Sequence, residues 1–346
     1  MTDSQSELPT AVSAGSAPRR RLFLIDGFSN IFRAFYAIRN LSNSRGEPTN
    51  AIFGFLQILR KLLRDEQPEL IGVALDVSRK TVRSEKFEAY KAHRPPMPED
   101  LRPQIPWIRK ILEAYHIPIL ELPNYEADDV LGTLATRAAE EGYEVVLVSA
   151  DKDLMQLVAP RISLFHTGRS KVYDPAGVEE DFGVPPAEVT DVLALAGDTS
   201  DNVPGVPGIG QKGAVQLIRE YGSLEALLDA AGEIKRKSYR EGLEQNRDLA
   251  ELSKELVTIH RDLPIPFEPD KLHRDPPDDA ALRDIFAELE FHSLVEELEA
   301  AAQKERPTVA AAEATTAEAW QKAATALSGE VCAFLVGTDE PLALVA

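Results

Sequence analysis

The residues whose types and spacing can do chemistry crowd into one stretch, Tyr125 to Asp153, which reads YEADDVLGTLATRAAEEGYEVVLVSADKD. Glu126, Asp128 and Asp129 open a segment whose apolar residues Val130, Leu131, Leu134, Ala135 and Ala138 recur at helical spacing. Val145 to Val148 then reads as a buried strand that ends in Asp151 and Asp153. In an open parallel α/β sheet, acids just past a strand point toward the same crevice as acids that open a neighbouring helix. Five carboxylates then face one cleft, and like charges at that range force up one another's pKa unless hard cations neutralise them. Oxygen ligands with no Cys and no adjacent His point to Mg²⁺ or Mn²⁺ rather than zinc. Acids in a first helical turn also cap free N–H groups, so Glu126, Asp128 and Asp129 alone divide evenly between capping and chemistry. Asp151 and Asp153 shift that balance, because a strand end has no cap for two acids to serve.

The elements that must position these residues are legible around them. Leu22 to Ile25 is a short apolar run ending in Asp26, and Leu70 to Leu75 is another ending in Asp76, so three strands each deliver an acid to one sheet edge. Between them Ile52, Phe55, Leu56, Leu59, Leu62 and Leu63 trace one helical face. Arg33, Phe35 and Tyr36 interleave charge and aromatics after the first strand, and the two rings read as core before base-stacking surface. From Arg79 to Lys110 the chain is basic, closed by Pro95, Pro96 and Pro98, and its place after the Asp76 strand sets Arg83, Lys91 and Arg94 over the crevice. A plain solvated loop is the ordinary alternative there. His166 reads as a strand residue without a partner for ligation. Asp198 and Asp201 follow the helical run Ala187 to Ala196, where acids oppose the dipole, so metal work explains them better than helix stability does. Gly205, Gly208 and Gly210 form a tight hairpin before Lys212, a geometry that converges backbone N–H groups on a phosphate.

Composition bounds these readings. The 346 residues are 44% apolar and 27% charged, enough for two or three domains, with one cysteine, Cys332, and no apolar run near the ~18 residues of a membrane span. The net charge of −19 argues against a nucleic-acid partner until its distribution is considered: the acids gather in the cluster and after Pro264, leaving the 79–110 segment basic. Residues 1–20 read as a disordered tail, the protein as cytoplasmic, and the end of the chain as an acidic amphipathic helix, Leu282 to Leu298, an Ala/Thr/Glu linker and two strands too few to close a core. On that division a chain ending near Pro269 is expected to keep its activity and thermal stability.

Taken in order, LIDG at Asp26, ALD at Asp76, YKAHRPPMP at Tyr90 to Pro98, YEADD at Tyr125 to Asp129, SADKD at Ser149 to Asp153 and GDTSDNVPGVPGIG at Gly197 to Gly210 resemble the 5′ nuclease domain of bacterial DNA polymerase I, within the flap endonuclease superfamily. The likeness runs from about Arg21 to Pro269. It implies an α/β fold with a PIN-like parallel sheet flanked by helices, a helical arch and a helix-hairpin-helix DNA-binding region. The implied divisions are a nuclease core at 21–180, its helix-hairpin-helix part at 181–269, an acidic helix and linker at 270–320, and the start of an incomplete proofreading-like domain at 321–346.

It further implies metal ligands at Asp26, Asp76, Glu126, Asp128, Asp129, Asp151, Asp153, Asp198 and Asp201, catalytic cations at Arg83, Lys91 and Arg94, and DNA contacts at Arg33, Tyr90, Gly205, Gly208, Gly210 and Lys212. Two Mg²⁺ or Mn²⁺ ions are expected, and the resemblance admits a monovalent cation at the hairpin. The expected partner is DNA with 5′ flaps, nicks or 5′ ends, with RNA primers admitted and no membrane, and the protein is expected to be monomeric. Departures are Val82 where Phe is usual, His93 where Asn is usual, and Gln211 with Gly213 in a step that is usually more basic. Ala333 to Gly337 lacks the Asp-x-Glu pair of an active proofreading exonuclease, and the chain carries no polymerase domain. A haloacid-dehalogenase-like phosphatase fails because its second Asp falls at Phe28. A DNA-binding scaffold without catalysis conflicts with nine acids that would repel DNA.

Overall fold

The computed structural model describes residues 20–78 and 80–305, together with the backbone of Ala312–Glu313, Ala333–Phe334 and Ala343–Val345. The tail, Arg79 and Cys332 lie outside the described residues. The chain divides into two units, Met1–Glu290 and Phe291–Ala346.

The first unit is built on six strands, β1 Arg21–Asp26, β2 Leu70–Ala74, β3 Ile119–Leu120, β4 Glu144–Ser149, β5 Ile162–His166 and β6 Lys171–Tyr173, in the order β3-β2-β1-β4-β5-β6. The first five run parallel and β6 pairs antiparallel to β5. Central strands of a parallel sheet are covered on both faces, and accordingly Leu22 to Ile25, Leu70 to Ala74 and Val145 to Val148 are buried without alternation. The chain steps from β1 through β2 to β3 on one side and places β4 on the other. The order therefore reverses at β1, and the crevice beyond the carboxyl ends of β1 and β4 is where such sheets bind ligands. Register brings Ile25 opposite both Val73 and Val148, so the acids that follow these strands emerge at one level.

Helices α1 Gly27–Ala37 and α2 Asn50–Glu66 pack together after β1. In α1 the inward face is Gly27, Asn30, Ile31 and Ala34, which leaves Phe35 half-buried and Tyr36 62% exposed. Tyr36 is thus a surface residue and not the core aromatic expected of it, because it falls off the apolar stripe. Within the expected arch the helical part is α3 Val82–Lys86, followed by turns through Arg94. Next come α4 Ile105–Ala114 and α5 Ala127–Glu140, then α6 Pro175–Phe182, α7 Pro186–Ala196, α8 Gln211–Tyr221, α9 Leu224–Asp229, α10 Lys237–Gln245 and α11 Arg247–Val257. Helix α7 is buried nearly all round, between α8, α11 and the turn after β4.

Beyond Pro269 the chain stays packed. Leu272 is buried at the sheet, His273 bridges to Leu70, and α12 Asp279–Glu288 buries Leu282 and Phe286 while packing on α4. The single helix expected over Leu282 to Leu298 is interrupted, since Glu290 takes a left-handed φ of 60°. In the second unit, α13 His292–Glu305 precedes a three-stranded antiparallel sheet of order β7-β9-β8, formed by β7 Ala312–Glu313, β8 Ala333–Phe334 and β9 Ala343–Val345. Strand β7 falls inside the stretch read as linker.

Candidate active site

Strand β1 passes straight into α1, so Asp26 both ends the strand and caps the helix. Its Oδ1 accepts from Ser29 N at 3.0 Å and its Oδ2 from Ser149 Oγ at 2.7 Å. Asp76 Oδ1 accepts from Ala127 N at 2.7 Å, which ties the end of β2 to the start of α5. After β4 the chain folds back on itself: Asp151 N donates to Ser149 Oγ at 3.0 Å and Asp153 N to Asp151 Oδ1 at 2.9 Å. Asp198 Oδ1 accepts from Ser200 N at 2.6 Å in the loop after α7.

That loop meets the arch. Lys91 N donates to Asp201 O at 2.8 Å and Asn202 Nδ2 to Ala89 O at 2.7 Å, while Lys91 itself takes a left-handed φ of 53°. Lys91 Nζ stands 2.8 Å from Glu126 Oε1 and 3.4 Å from Asp201 Oδ2, and Arg94 pairs with Asp201 Oδ1. Tyr90 is only 5% exposed, with its hydroxyl 3.1 Å from Glu126 Oε2 and 3.2 Å from Asp201 Oδ2. Expected as a DNA contact, it is instead a buried link between two acids.

Burial and mutual repulsion set the electrostatics. Burial, with Asp151 and Asp76 nearby, pushes the Asp26 carboxyl up to about 7 despite the bonds from Ser149 and Ser29. Burial also raises Asp128, helped by Asp26 and Asp151, and raises Asp153, helped by Asp151 and Asp198. Half-buried Asp151 is raised by burial as well, and Asp76 is raised by the protein packed about it although its side chain stays open to solvent. Among the described residues, none donates a hydrogen bond to the buried Asp153 Oδ1. Arg83, Tyr90, Glu126, Asp128, Asp153 and Asp201, with apolar side chains from the ends of the 198–203 loop and α11, line a cavity of about 20 Å³, room for a single small species. An all-oxygen set with an orphaned buried acceptor and carboxyls displaced upward is the environment that a hard divalent cation would relieve. Among the described residues, no three His, Cys, Asp or Glu side chains close around one point.

Asp129 and Arg83 behave differently. Asp129 is fully buried; Arg83 reaches it with a two-pronged pair, both contacts at 2.7 Å, and is itself 6% exposed. Burial would raise Asp129, but the hydrogen bonds and charge of Arg83 outweigh it and hold the carboxyl below the usual range. Arg83 is therefore not one of the open cations over the crevice that its sequence position suggests.

Sequence reasoning passed over two further residues. Lys152 Nζ is 3.2 Å from Asp198 Oδ2, and Ser149 Oγ bridges Asp26 to Asp151 N. The signal for Lys152 lay in its place between two acids; a serine at a strand end carries none.

At the hairpin, Gly197 and Gly205 have φ of 72° and 63° and pack so closely that a Cβ on Gly205 would lie 2.4 Å from Gly197 N. Gly205 N is already bonded to Ser253 Oγ at 3.1 Å, so this glycine closes the loop and offers no donor. Gly208 and Gly210 have open space around them, and Lys212 is exposed. Arg33 lies against the β5–β6 turn, its NH1 2.9 Å from where a Cβ on Gly168 would sit.

Residues 21–183 match the family described as 5′-3′ exonuclease, N-terminal resolvase-like domain, and residues 184–280 match its C-terminal SAM fold. DNA polymerase I of Bacillus caldotenax is 42% identical over 296 residues, which cover 84% of this chain and 34% of that protein. A 5′-3′ exonuclease of Aquifex aeolicus is 40% identical over 280 residues, covering 81% of this chain and 96% of that one. The chain thus spans about a third of the length of the DNA polymerase I relatives it matches. In fold it is similar to a bacteriophage T5 flap endonuclease, with a TM-score of 0.59, 22% identity, 81% of this chain and 99% of that one covered. It is likewise similar to the catalytic core of Rad2, with a TM-score of 0.56, 15% identity, and 81% and 91% covered. The acids at the strand ends, the arch docked on the 198–202 loop and these matches along the chain's length agree: the chain belongs to the 5′-3′ exonuclease family.

Proposed function

We propose that this chain hydrolyses DNA phosphodiesters at 5′ ends and flaps, using two Mg²⁺ or Mn²⁺ ions. The observation that carries the reading is the convergence of Asp26, Asp76, Glu126, Asp128, Asp151, Asp153, Asp198 and Asp201 from separate strand ends and loops on one crevice, where desolvation already strains the charge of Asp26, Asp76, Asp128, Asp151 and Asp153. Family membership supports it, and the bacteriophage T5 flap endonuclease of similar fold is seen in complex with DNA and metal ions.

Divalent ions bound there would activate a water and stabilise the leaving oxygen of an in-line displacement. Asp26, Asp76, Glu126 and Asp128 would hold one ion, and Asp151, Asp153 and Asp201 the other. Lys91 and Arg94 sit on the arch against these same acids. Their role is to present positive charge to the scissile phosphate. Gly208, Gly210 and Lys212 offer backbone N–H groups and a cation to the phosphates of the adjoining duplex, without reading bases.

The scaffold alternative is weaker, because a protein that only held DNA would gain nothing from eight carboxylates facing it. A labelled 5′-flap duplex incubated with and without Mg²⁺ tests the reading. Release of the flap only with the metal supports it, and metal-dependent binding without cleavage defeats it.

A further inference from the structure

Resting on the metal-nuclease reading, a sharper assignment follows from how completely Arg83 and Asp129 use each other. A carboxylate offers about four acceptor sites and a guanidinium five N–H donors. Asp129 Oδ1 accepts from Arg83 NH2 at 2.7 Å and His260 N at 2.9 Å, while Oδ2 accepts from Arg83 NH1 at 2.7 Å and Glu126 N at 3.2 Å. Arg83 in turn gives Nε to Leu256 O at 2.8 Å, NH2 also to Thr258 O at 2.6 Å, and NH1 also to Glu126 Oε2 at 3.3 Å. Every site on both groups is taken. Neither has a lone pair or a proton left for an ion or a phosphate.

We propose that Arg83 and Asp129 are a positioning pair that fixes Glu126 and the foot of the arch, and that neither ligates metal nor touches DNA. Three segments meet at it: the arch through α3, the acid-bearing first turn of α5, and residues 256–260 at the end of α11 and just beyond it. Glu126 is held twice, by its backbone N–H on Asp129 and by its carboxylate on Arg83. From the same α3, the chain runs to Tyr90 and Lys91, which reach the same carboxylate.

The junction leaves no slack for the pair to move. One turn along α5, a Cβ on Gly132 would lie 2.7 Å from Ile259 Cγ2 and 2.8 Å from His260 O, and Leu263 N donates to Thr133 Oγ1 at 3.3 Å. Breaking the pair therefore shifts Glu126 and the arch together, whichever partner is removed.

The test is a double-mutant cycle with Arg83→Gln, Asp129→Asn and both, with Asp128→Asn as reference. Two quantities are read: Mn²⁺ affinity without DNA, by electron paramagnetic resonance, and the single-turnover rate of flap cleavage at saturating Mg²⁺. A positioning pair predicts that the two single variants match each other within about threefold in both readouts and that the double variant is no worse than either. Arg83→Lys, which keeps the charge but loses the fork, should recover part of the rate and guards against a Gln variant that does not fold. The proposal is overturned if Asp129→Asn weakens Mn²⁺ binding tenfold more than Arg83→Gln does, or if the losses multiply in the double variant. Unchanged Mn²⁺ binding in Asp128→Asn would instead strike the metal reading itself, a result separable from the behaviour of the pair.

Discussion

Asp128 and Asp129 are consecutive residues in the first turn of α5, and their surroundings drive them in opposite directions. Asp129 turns inward to a guanidinium and two backbone N–H groups, which hold its carboxyl below the usual range. Asp128 faces the crevice, where burial and the charges of Asp26 and Asp151 push its carboxyl well up. One acid is stabilised by the protein alone, whereas the other is left in deficit for something the protein does not itself supply. A run of acids in sequence is therefore two kinds of site, separated by the 100° that each helical residue turns.

The largest effects should come from removing the acids in deficit. Asp128→Ala and Asp151→Ala are expected to cut flap cleavage by roughly 10³-fold or more, as loss of a main transition-state contact does. In chelator, Asp128→Asn should melt at a higher temperature than the parent, because a strained charge is gone. Asp129→Asn should melt lower, since breaking a buried ion pair costs about 3–5 kcal/mol. Shifts of the same sign in both variants would erase the distinction between the two acids.

Next come the arch cations. Lys91→Ala and Arg94→Ala should lower the single-turnover rate by roughly 10- to 100-fold while changing DNA affinity much less, because their charge is assigned to the transition state. Affinity and rate measured at one salt concentration decide this. Weakened binding with an unchanged saturating rate would make the arch a plain DNA contact.

Stability should respond more modestly to pH and metal. The folded value of Asp26, about 7, exceeds the ordinary carboxyl value of about 3.9, so the folded protein binds more protons than the unfolded chain between those limits. Stability from this group is full at low pH and is lost as pH rises through about 7. The raised Asp128, Asp151 and Asp153 act in the same direction, while the lowered Asp129 and Asp198 lose their contribution only in acid. Calorimetry should show Mg²⁺ raising the melting temperature more at pH 8 than at pH 5.5. An equal rise at both would remove the strain from the account.

How much of this was legible beforehand follows from the physics of each element. The three strand-end acids Asp26, Asp76 and Asp151 were readable because a buried parallel strand is an unbroken apolar run and its end is a chemical boundary. The inward turn of Asp129 was not, since it depends on Arg83 arriving from 46 residues away. Gly205 likewise looked like its neighbours Gly208 and Gly210, and only the contact with Ser253 and Gly197 sets it apart. The stretch past Pro269 was set aside for its acidity and prolines, yet Leu272, Leu282 and Phe286 are buried. At about 1.5–3 kcal/mol for each buried apolar side chain, a chain ending at Pro269 should be destabilised by several kcal/mol, contrary to the sequence expectation. A denaturant midpoint equal to that of the full chain would reinstate it.

The smallest effects belong to Gly208 and Lys212 at the open side of the hairpin, where the comparison recurs on backbone donors. Gly205 is committed within the protein, so Gly205→Ala must displace backbone and should be strongly destabilising. Gly208 also has a positive φ, 86°, but nothing lies within 4 Å of its missing Cβ, so Gly208→Ala should cost only the roughly 1–2 kcal/mol of an unfavourable backbone conformation. Lys212 is exposed, and among the described residues it makes no ion pair that its removal would break. Lys212→Ala should therefore leave melting unchanged, weaken DNA binding by a few-fold whatever the sequence, and reduce the slope of log affinity against log salt by about one. A lost melting transition in Lys212→Ala, or an unaltered salt slope, would move the duplex contact away from the hairpin and onto another face of the helical region.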